Sequence, residues 1–398
     1  MTDRSLTVCI VAGEESGDQL GAELISALNT RIGDRVRYCG VGGERMTALG
    51  LTSFFDMSDV SVMGLSAVLA RLPLIVRRVY QTVDDVVDAK PDVLVIIDSP
   101  DFTQSVAKRV RKRAPDIPIV GYVSPSVWAW RPARARKMSA YVDQLLALLP
   151  FEPEVHKKLG GPETHYVGHP LSETASELRP ADGERLPVRS AGQKVFLVLP
   201  GSRKSEIDRL LPVFGKTVAL VKQQCPDVEI VLPAVARLEA RIREGVKTWA
   251  VQPDIVTGLD AKKAAFRRAH AALAASGTVS LELALAEVPM VVAYKVDWFF
   301  RRLKDLNRVF KFSSVDSFVL PNIILGKKAI PEFLDDDVKP AILAERLCIL
   351  LGDTPERERQ LSELARLDDL MSLPDGYSQS AAAADIVLET MKAGSRQG

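Results

Sequence analysis

Three carboxylates follow the first apolar run of the chain, at a place where many α/β proteins bind phosphate. The run Leu6–Ala12 stops at Gly13, and the turn after it contains Glu14, Glu15, Ser16 and Asp18 but no Lys or Arg. A strand, a tight turn and a helix start can hold phosphate on free backbone N–H groups. Because this turn is acidic where a phosphate site would be basic, we predict that it faces a different ligand.

A basic turn occurs in the second half of the chain, after the apolar run "KVFLVLP". Its residues are Gly201, Ser202, Arg203 and Lys204, and a helical pattern begins directly after them. A helix N-terminus attracts anions, and a cation beside it adds charge-assisted hydrogen bonds of about 1.5–3 kcal/mol each. The pattern indicates a phosphate contact. The alternative is a solvated turn in which Arg203 pairs with Glu206 or Asp208.

A second turn in the same half has a similar design. The strand pattern Ala271–Ala274 leads into Ser276, Gly277 and Thr278, and Glu282 lies in the helix that follows. Small residues let a diphosphate approach the backbone, and Glu282 could accept hydrogen bonds from ribose hydroxyls. The alternative is a capping box with Ser276 or Thr278 as N-cap. Two such helix starts in one domain favour a nucleotide diphosphate.

Two further positions carry a functional and a structural interpretation each. Asn322, in "FVLPNIIL", is either a specificity contact or a turn former. Asp98 ends the apolar run "VLVIID", and Asp101 follows it. A carboxylate at the carboxyl end of a buried strand lies where α/β sheets bind ligands, and desolvation there makes it a better base. We predict that Asp98 is catalytic and that Asp101 or Thr103 caps the next helix.

Aromatic and basic residues follow another strand pattern in "YVSPSVWAWRPARARKM". Trp128 and Trp130 come first, and Arg131 is the first of several cations. Aromatic and basic residues together can bind nucleic acid, but the net charge of +1 provides no general positive field. We therefore predict a sugar or an anionic lipid phosphate here and no nucleic acid. The alternative is that both indoles pack at the face between two domains.

An apolar stripe with interspersed arginines precedes these motifs. Its members recur near helical spacing and are Val62, Met63, Leu65, Val68, Leu69, Leu72 and Val76. Most such stripes are core, because each exposed Leu or Val forgoes about 1.5–3 kcal/mol of burial. Arg71 and Pro73 interrupt this stripe, so it also suits a segment that lies on anionic lipid.

Metal, cofactor and targeting signals are weak. The four histidines have no metal-ligand spacing, and the triplet Asp335–Asp337 follows "PEFL" and suits a helix N-cap, so we predict neither a metal nor a cofactor. Cys9 lies inside the first strand pattern, which fits a buried thiol in a reducing compartment. The start of the sequence does not resemble a signal peptide, and no apolar run is long enough to span a membrane. We predict a cytoplasmic location.

Continuous apolar runs alternate with helical patterns through most of the 398 residues. This alternation predicts two doubly wound, Rossmann-like α/β domains whose strand ends face a shared cleft. Helices are predicted at 18–29, 73–89, with Pro73 first, and 103–113. Apolar periodicity is lost near 171–193. We expect an N-terminal domain at 1–172, a linker at 173–193, a nucleotide-binding domain at 194–365 and a helical tail at 366–398.

In combination, these motifs resemble a known family. "GEESGD", "IDSPDF", "SPSVWAWR", "LPFE", "VGHP", "LPGSR", "SGTVSLE", "PMVV" and "LPN" occur in an order that resembles the lipid A disaccharide synthases, bacterial glycosyltransferases of GT-B architecture. The resemblance runs from about Leu6 to the final helix. It implies that a UDP-2,3-diacylglucosamine donor and a 2,3-diacylglucosamine 1-phosphate acceptor give a β-1,6-linked disaccharide 1-phosphate and UDP. It also implies that the C-terminal helix returns to the N-terminal domain.

The same resemblance assigns roles to individual residues. Asp98 falls at the position of the proposed base, and Glu14, Glu15 and Ser16 match the acidic loop on the acceptor side. We also place Asp18, Trp128 and Arg131 on the acceptor side. Arg203, Glu282 and Asn322 match positions on the UDP side. An enzyme of this kind is expected at the cytoplasmic face of the inner membrane, with the apolar stripe against lipid, and a homodimer remains open. A UDP-sugar 2-epimerase and a non-catalytic UDP-sugar sensor are the alternative functions.

Overall fold

The chain forms two α/β units, each built on its own parallel sheet. In the computed structural model, residues 6–61, 65–296, 317–374 and 377–394 are described. The first unit comprises Met1–His169 and Leu373–Gly398, and the second comprises Pro170–Ser372. The prediction of two doubly wound domains is confirmed.

The first unit contains a seven-stranded sheet in the order β3-β2-β1-β4-β5-β6-β7. Its strands are β1 (Leu6–Ala12), β2 (Val36–Val41), β3 (Leu51–Ser53), β4 (Val93–Ile97), β5 (Ile119–Tyr122), β6 (Gln144–Ala147) and β7 (Glu163–Tyr166). Its helices are α1 (Glu15–Ile32), α2 (Glu44–Ala48), α3 (Leu65–Ala89), α4 (Pro100–Arg113), α5 (Ala133–Met138) and α6 (Glu152–Leu159), together with the last helix of the chain. The central strands are almost entirely apolar because helices cover both faces of the sheet.

The second unit contains a six-stranded sheet in the order β10-β9-β8-β11-β12-β13. Its strands are β8 (Lys194–Leu199), β9 (Val228–Ala234), β10 (Asp254–Thr257), β11 (Ala269–Ala275), β12 (Met290–Tyr294) and β13 (Glu332–Leu334). Its helices are α7 (Pro170–Glu173), α8 (Ala175–Leu178), α9 (Lys204–Gln224), α10 (Glu239–Val246), α11 (Leu259–Arg268), α12 (Thr278–Leu285), α13 (Leu320–Leu325), α14 (Pro340–Leu351) and α15 (Pro355–Met371).

The last helix, α16 (Gln379–Gly394), packs in the first unit, as the family resemblance implied. It lies against α1, where Arg31 forms an ion pair with Asp385 and donates to the Ala381 carbonyl at 2.9 Å. Ala383 and Val387 are fully buried in the core of the first sheet. The chain therefore returns to its first unit after completing the second.

Two local predictions are wrong. Pro73 does not begin a helix but lies inside α3, which starts at Leu65. The segment 173–193 does not behave as a free linker, because it belongs to the second unit and contains α8. The side chain of Arg185 holds it there by donating to four backbone carbonyls at 2.9–3.0 Å, those of Phe266, Arg267, Ala286 and Glu287.

We expect Arg185→Ala to lower the free energy of unfolding by about 1–3 kcal/mol, because it removes charge-assisted hydrogen bonds to several carbonyls. Arg189→Ala is the matched control, since Arg189 lies in the same segment but is largely exposed and pairs with Asp353. Its effect should stay within about 0.5 kcal/mol. Urea unfolding followed by circular dichroism measures both, and equal losses would contradict an anchoring role for Arg185.

Among the described residues, no helix is both long enough and apolar enough to cross a membrane.

Candidate functional sites in the two units

Three motifs of the first unit meet where β1, β4 and β5 end. Ala12 pairs with Ile97 and Ile97 pairs with Tyr122, so the residues after these strands lie side by side. Gly13 packs so closely on Ser99 that a Cβ at position 13 would lie 2.8 Å from the Ser99 Cβ. The acidic turn and the predicted base are therefore neighbours.

Asp98 lies in a partly desolvated and strained position. Its side chain is half-buried, and burial raises the pKa of the carboxyl, while a hydrogen bond from the Ser99 backbone partly offsets this rise. Asp98 and Ser99 have φ values of 48° and 43°, in the left-handed region that residues other than glycine rarely adopt. The Asp98 N–H donates to the Tyr122 carbonyl at 3.0 Å, and the Thr103 hydroxyl donates to the Asp98 carbonyl at 2.6 Å. Such strained conformations cluster at functional sites.

The N-cap prediction for Asp101 and Thr103 is wrong. Ser99 occupies the N-cap position of α4, and its side chain makes no capping hydrogen bond. The Asp101 side chain is 94% exposed and pairs with Arg134 at 3.3 Å.

The acidic turn divides into exposed and structural residues. Glu15 and Ser16 are exposed and Glu14 is half-buried, so all three are accessible to a ligand. Asp18 is only 3% exposed, and its carboxylate accepts hydrogen bonds of 2.7–3.2 Å from three backbone N–H groups at the start of α2, those of Gly43, Arg45 and Met46. The acceptor-side prediction for Asp18 is therefore corrected, because this carboxylate joins α1 to α2.

Trp128 and Trp130 occupy different environments. The Trp128 ring meets Phe151 edge-on with 5.5 Å between centroids, and its indole N–H donates to Glu152 Oε1 at 3.2 Å. Trp128 thus packs within the first unit. Trp130 is exposed, and the Arg131 guanidinium lies 5.6 Å from its ring centroid. Of the two indoles, Trp130 offers the accessible surface together with a cation.

A buried polar cluster beneath this segment escaped the sequence analysis. Glu152 and His156 lie one turn apart on α6, and both are buried. Burial raises the pKa of Glu152 to about 7 and lowers the pKa of His156 to about 4. His156 Nε2 lies 2.9 Å from the Ser124 hydroxyl. The "LPFE" motif and the i, i+4 spacing were the available signals.

A pocket of about 470 Å³ lies at the carboxyl ends of β8, β9, β10 and β11 in the second unit. All of the predicted nucleotide-binding residues except Asn322 line it, namely Gly201, Ser202, Arg203, Ser276, Gly277, Thr278 and Glu282. The two turns therefore line the same pocket. Its position matches the rule that open α/β sheets bind ligands at the carboxyl ends of their strands.

Arg203 forms the local pair that the alternative interpretation proposed, yet it also lines the pocket. Its guanidinium lies 2.9 Å from Glu206 Oε1, while Glu206 Oε2 accepts from the backbone N–H groups of Ser202 and Arg203. Gly201 has a φ of 114°, and a Cβ there would lie 2.6 Å from Glu206 Oε2. Asp208 pairs instead with Arg241. Glu206 thus fixes the shape of the turn.

The other wall of the pocket contains a cation that the sequence analysis missed. Lys262, in the first turn of α11, lines the pocket and forms an ion pair with Glu282. The capping-box alternative is not observed, since Gly277 is the N-cap of α12 and the Ser276 hydroxyl donates to the Phe318 carbonyl at 2.8 Å. The first turn of α12 therefore presents backbone N–H groups without a side-chain cap.

Asn322 has a structural role in this conformation. It lies in α13, is almost fully buried, and exchanges two hydrogen bonds of 2.8 and 2.9 Å with the backbone of Ile330. Both the turn interpretation and the prediction of a direct nucleotide contact are corrected, because the amide is used within the protein and lies outside the pocket.

The apolar stripe can be followed only in part. Val62 and Met63 lie outside the described residues, as do the side chains of Leu65, Val68 and Leu69. Leu72 and Val76 are each 46% exposed, and Tyr80, one turn further, is 53% exposed. Val79, Val83 and Val86 on another face of α3 are buried in the core. The alternative that the whole stripe is core is therefore wrong.

Metal ligands do not cluster in the described parts of the chain. No group of three or more His, Cys, Asp or Glu residues is close enough there to hold a metal ion. The N-cap prediction for Asp335–Asp337 is wrong, because this triplet follows the short strand β13 and Lys339 is the N-cap of α14. The Asp335 carboxylate accepts from the Val296 N–H at 2.8 Å.

Comparison with solved structures defines the class of fold. The chain is similar to a UDP-GlcNAc 2-epimerase from Neisseria meningitidis bound to UDP-GlcNAc, with a TM-score of 0.60 and 12% identity over 98% of this chain and 100% of that one. It is also similar to the glycotransferase of kitacinnamycin, with a TM-score of 0.59 and 17% identity over the same shares. These likenesses show the fold, which is that of the GT-B glycosyltransferases and related epimerases.

Sequence comparison identifies the family. The model of the lipid-A-disaccharide synthetase family matches residues 8–385. A lipid-A-disaccharide synthase of Rhodopseudomonas palustris strain HaA2 is 51% identical over 387 residues, 96% of each chain. One from Rhodospirillum centenum is 39% identical over 401 residues, 99% of this chain and 98% of the relative. The chain belongs to this family and is a glycosyltransferase of lipid A biosynthesis. Membership favours transfer over the epimerase and sensor alternatives.

Proposed function

We propose that the enzyme transfers 2,3-diacylglucosamine from its UDP derivative to 2,3-diacylglucosamine 1-phosphate. The 6-hydroxyl of the acceptor attacks the anomeric carbon of the donor, the bond to UDP breaks, and a β-1,6-linked disaccharide 1-phosphate forms with inversion. The single observation that carries this proposal is that the N-terminal turns of α9 and α12 and the side chain of Glu282 line one pocket, in a chain that belongs to this family.

On the donor side, the pocket supplies what a leaving diphosphate needs. Arg203 and Lys262 are the cations, and the first turn of α12 adds backbone N–H groups and the positive end of a helix dipole. Glu282 would accept hydrogen bonds from ribose hydroxyls, releasing Lys262 to the diphosphate. These groups lower the barrier by stabilising the negative charge that develops on UDP, so no step requires a metal.

On the acceptor side, Asp98 removes the proton of the attacking hydroxyl. The raised pKa of its carboxyl makes it a stronger base than an exposed aspartate. Glu14, Glu15 and Ser16 lie beside it and would accept hydrogen bonds from sugar hydroxyls. This role explains why the turn at the start of α1 is acidic and not basic. Trp130 and Arg131 provide a stacking surface and a cation for the sugar phosphate.

We further propose that α3 contacts the cytoplasmic face of the inner membrane. Leu72, Val76 and Tyr80 are exposed at a spacing of four residues, and the exposed Arg77 adds a positive charge near them. An apolar face flanked by arginines suits an anionic lipid surface. Acylated donor and acceptor molecules would be taken from that surface.

The reaction is tested by incubating the protein with UDP-2,3-diacylglucosamine and 2,3-diacylglucosamine 1-phosphate. Mass spectrometry should detect UDP and the disaccharide 1-phosphate only when both substrates are present, and NMR should show a β anomeric linkage. An epimerised sugar nucleotide would favour the epimerase alternative. UDP-sugar binding without product would favour the sensor.

The membrane proposal predicts that replacing both Leu72 and Val76 with Ser lowers the affinity for anionic vesicles about tenfold or more, because the loss of two partly exposed apolar side chains removes about 1 kcal/mol each. Co-sedimentation measures this. Leu49→Ser is the control, since Leu49 is exposed elsewhere on the same unit. An equal change in both proteins, or no change in either, would contradict the assignment of α3.

A further inference from the structure

The segment Val123–Arg131, here called the acceptor segment, begins under backbone strain. Val123 follows β5 directly and has a φ of 74°, which is rare for a β-branched residue. A strained conformation persists only where surrounding contacts hold it. The Val123 N–H donates to the Leu146 carbonyl at 3.0 Å. The residues that follow it are held by α6, which carries none of the residues assigned above to substrate.

Hydrogen bonds tie the acceptor segment to α6. At its centre, the Trp128 indole N–H donates to Glu152 Oε1 at 3.2 Å. Near its start, the Ser124 hydroxyl lies 2.9 Å from His156 Nε2. The edge-on contact between Trp128 and Phe151 adds an apolar contact at the beginning of the same helix.

Glu152 is an unusual choice for a purely structural position. It is 3% exposed, and within the described ranges it forms no ion pair. Desolvation is the main cause of its raised pKa. A carboxyl without a cationic partner costs free energy to bury. Its other oxygen accepts from the Leu149 N–H at 3.1 Å, so the carboxylate links the residues after β5 to those after β6.

The acceptor segment also borders Asp98. Tyr122, Val123 and Pro125 line a small cavity together with Asp98, and the Asp98 N–H donates to the Tyr122 carbonyl. A shift of the segment would therefore move the wall beside the base and, at the far end, Trp130 and Arg131.

We propose that Glu152 is a positioning residue for the acceptor site, which it serves by fixing Trp128 and thereby holding the acceptor segment beside Asp98. This inference rests on the proposed transfer reaction and extends it to a residue that touches neither sugar. Because the acceptor segment belongs to the first unit and the nucleotide pocket to the second, Glu152 should affect the acceptor and leave UDP binding unchanged.

Two substitutions test the link from opposite sides. Glu152→Gln keeps the volume but replaces one of the accepting oxygens by an amide N–H₂, which cannot accept a hydrogen bond from the donors around it. Trp128→Phe removes the indole N–H and keeps a ring against Phe151. Each should raise the KM for the acylated sugar phosphate about 5- to 20-fold, with a smaller change in kcat and an unchanged Kd for UDP. In the double variant, the acceptor KM should be about the same as in the single variants, because both substitutions remove the same hydrogen bond.

Glu154→Gln is the matched control, since Glu154 lies on the same helix but is exposed and pairs with Lys158. It should leave the acceptor KM unchanged. Thermal unfolding shows whether each variant folds. If Glu152→Gln does not fold, Trp128→Phe decides the test. Additive effects, an equal loss of UDP affinity or an unchanged acceptor KM would overturn the inference. A wild-type enzyme that forms no disaccharide would instead overturn the proposed reaction.

Discussion

Asp98→Asn is expected to lower turnover by about 10²–10⁴-fold while the affinity for UDP is unchanged. Asparagine has almost the same shape as aspartate but cannot accept the proton of the acceptor hydroxyl. Asparagine also tolerates the left-handed backbone at this position, where φ is 48°, better than alanine does. The fold should therefore survive, and the loss can be assigned to chemistry. Initial rates of UDP release and calorimetric UDP binding are the two measurements.

Asp101→Asn is the matched control for this experiment. Asp101 lies three positions away, is exposed and pairs with Arg134, so its replacement should change turnover by no more than about twofold. The pH profile gives an independent check. Because burial raises the pKa of Asp98, wild-type activity should be lost as the pH falls through that pKa, above the ordinary aspartate value of about 3.9. Retained turnover in Asp98→Asn would mean that another carboxylate is the base.

Arg203→Ala is expected to weaken UDP binding about 10- to 100-fold. The pocket is lined by two cations, Arg203 and Lys262, and two carboxylates, Glu206 and Glu282. Removing Arg203 leaves an excess of negative charge facing the diphosphate and eliminates charge-assisted hydrogen bonds of about 1.5–3 kcal/mol. Isothermal titration calorimetry with UDP measures the change.

The control for Arg203 is Arg241→Ala. Arg241 also pairs with a carboxylate of α9, Asp208, but it does not line the pocket. Its replacement should leave the Kd for UDP within about twofold of the wild-type value. If the two variants bind UDP equally well, the diphosphate does not lie against the basic turn, and the donor assignment fails.

The parts of the fold that depend on local pattern were predictable from the sequence. β1, β4, β8 and β11 are buried on both faces, so their continuous apolar runs identified them. The short strands β3, β7 and β13 were missed, since three or four residues give little periodicity. Ligands of open α/β sheets bind at the carboxyl ends of the strands. Once the long strands were predicted, this rule pointed to Asp98 and to the turns after β8 and β11 as candidate site residues.

The functions of individual side chains were harder to predict because their partners are distant in sequence. Asp18 was mistaken for a ligand contact because its N–H donors lie 25–28 residues away. The Asn322 side-chain amide forms hydrogen bonds with the Ile330 backbone, and turn statistics do not predict this pairing. Lys262 was overlooked because nothing in "GLDAKKAAF" shows that α11 faces the pocket. In each case tertiary packing, not residue type, determined the role.

The return of α16 to the first unit affects the order in which the chain acquires its structure during synthesis. The second unit is a continuous stretch, Pro170–Ser372, and all of it precedes α16. The core of the first unit lacks Ala383, Ala384 and Val387 until the ribosome has added the last part of the chain. The second unit is therefore the first that can be completed, the reverse of the order in which domains generally fold during translation. Nascent chains arrested before α16 should expose apolar surface on α1 and recruit chaperones there.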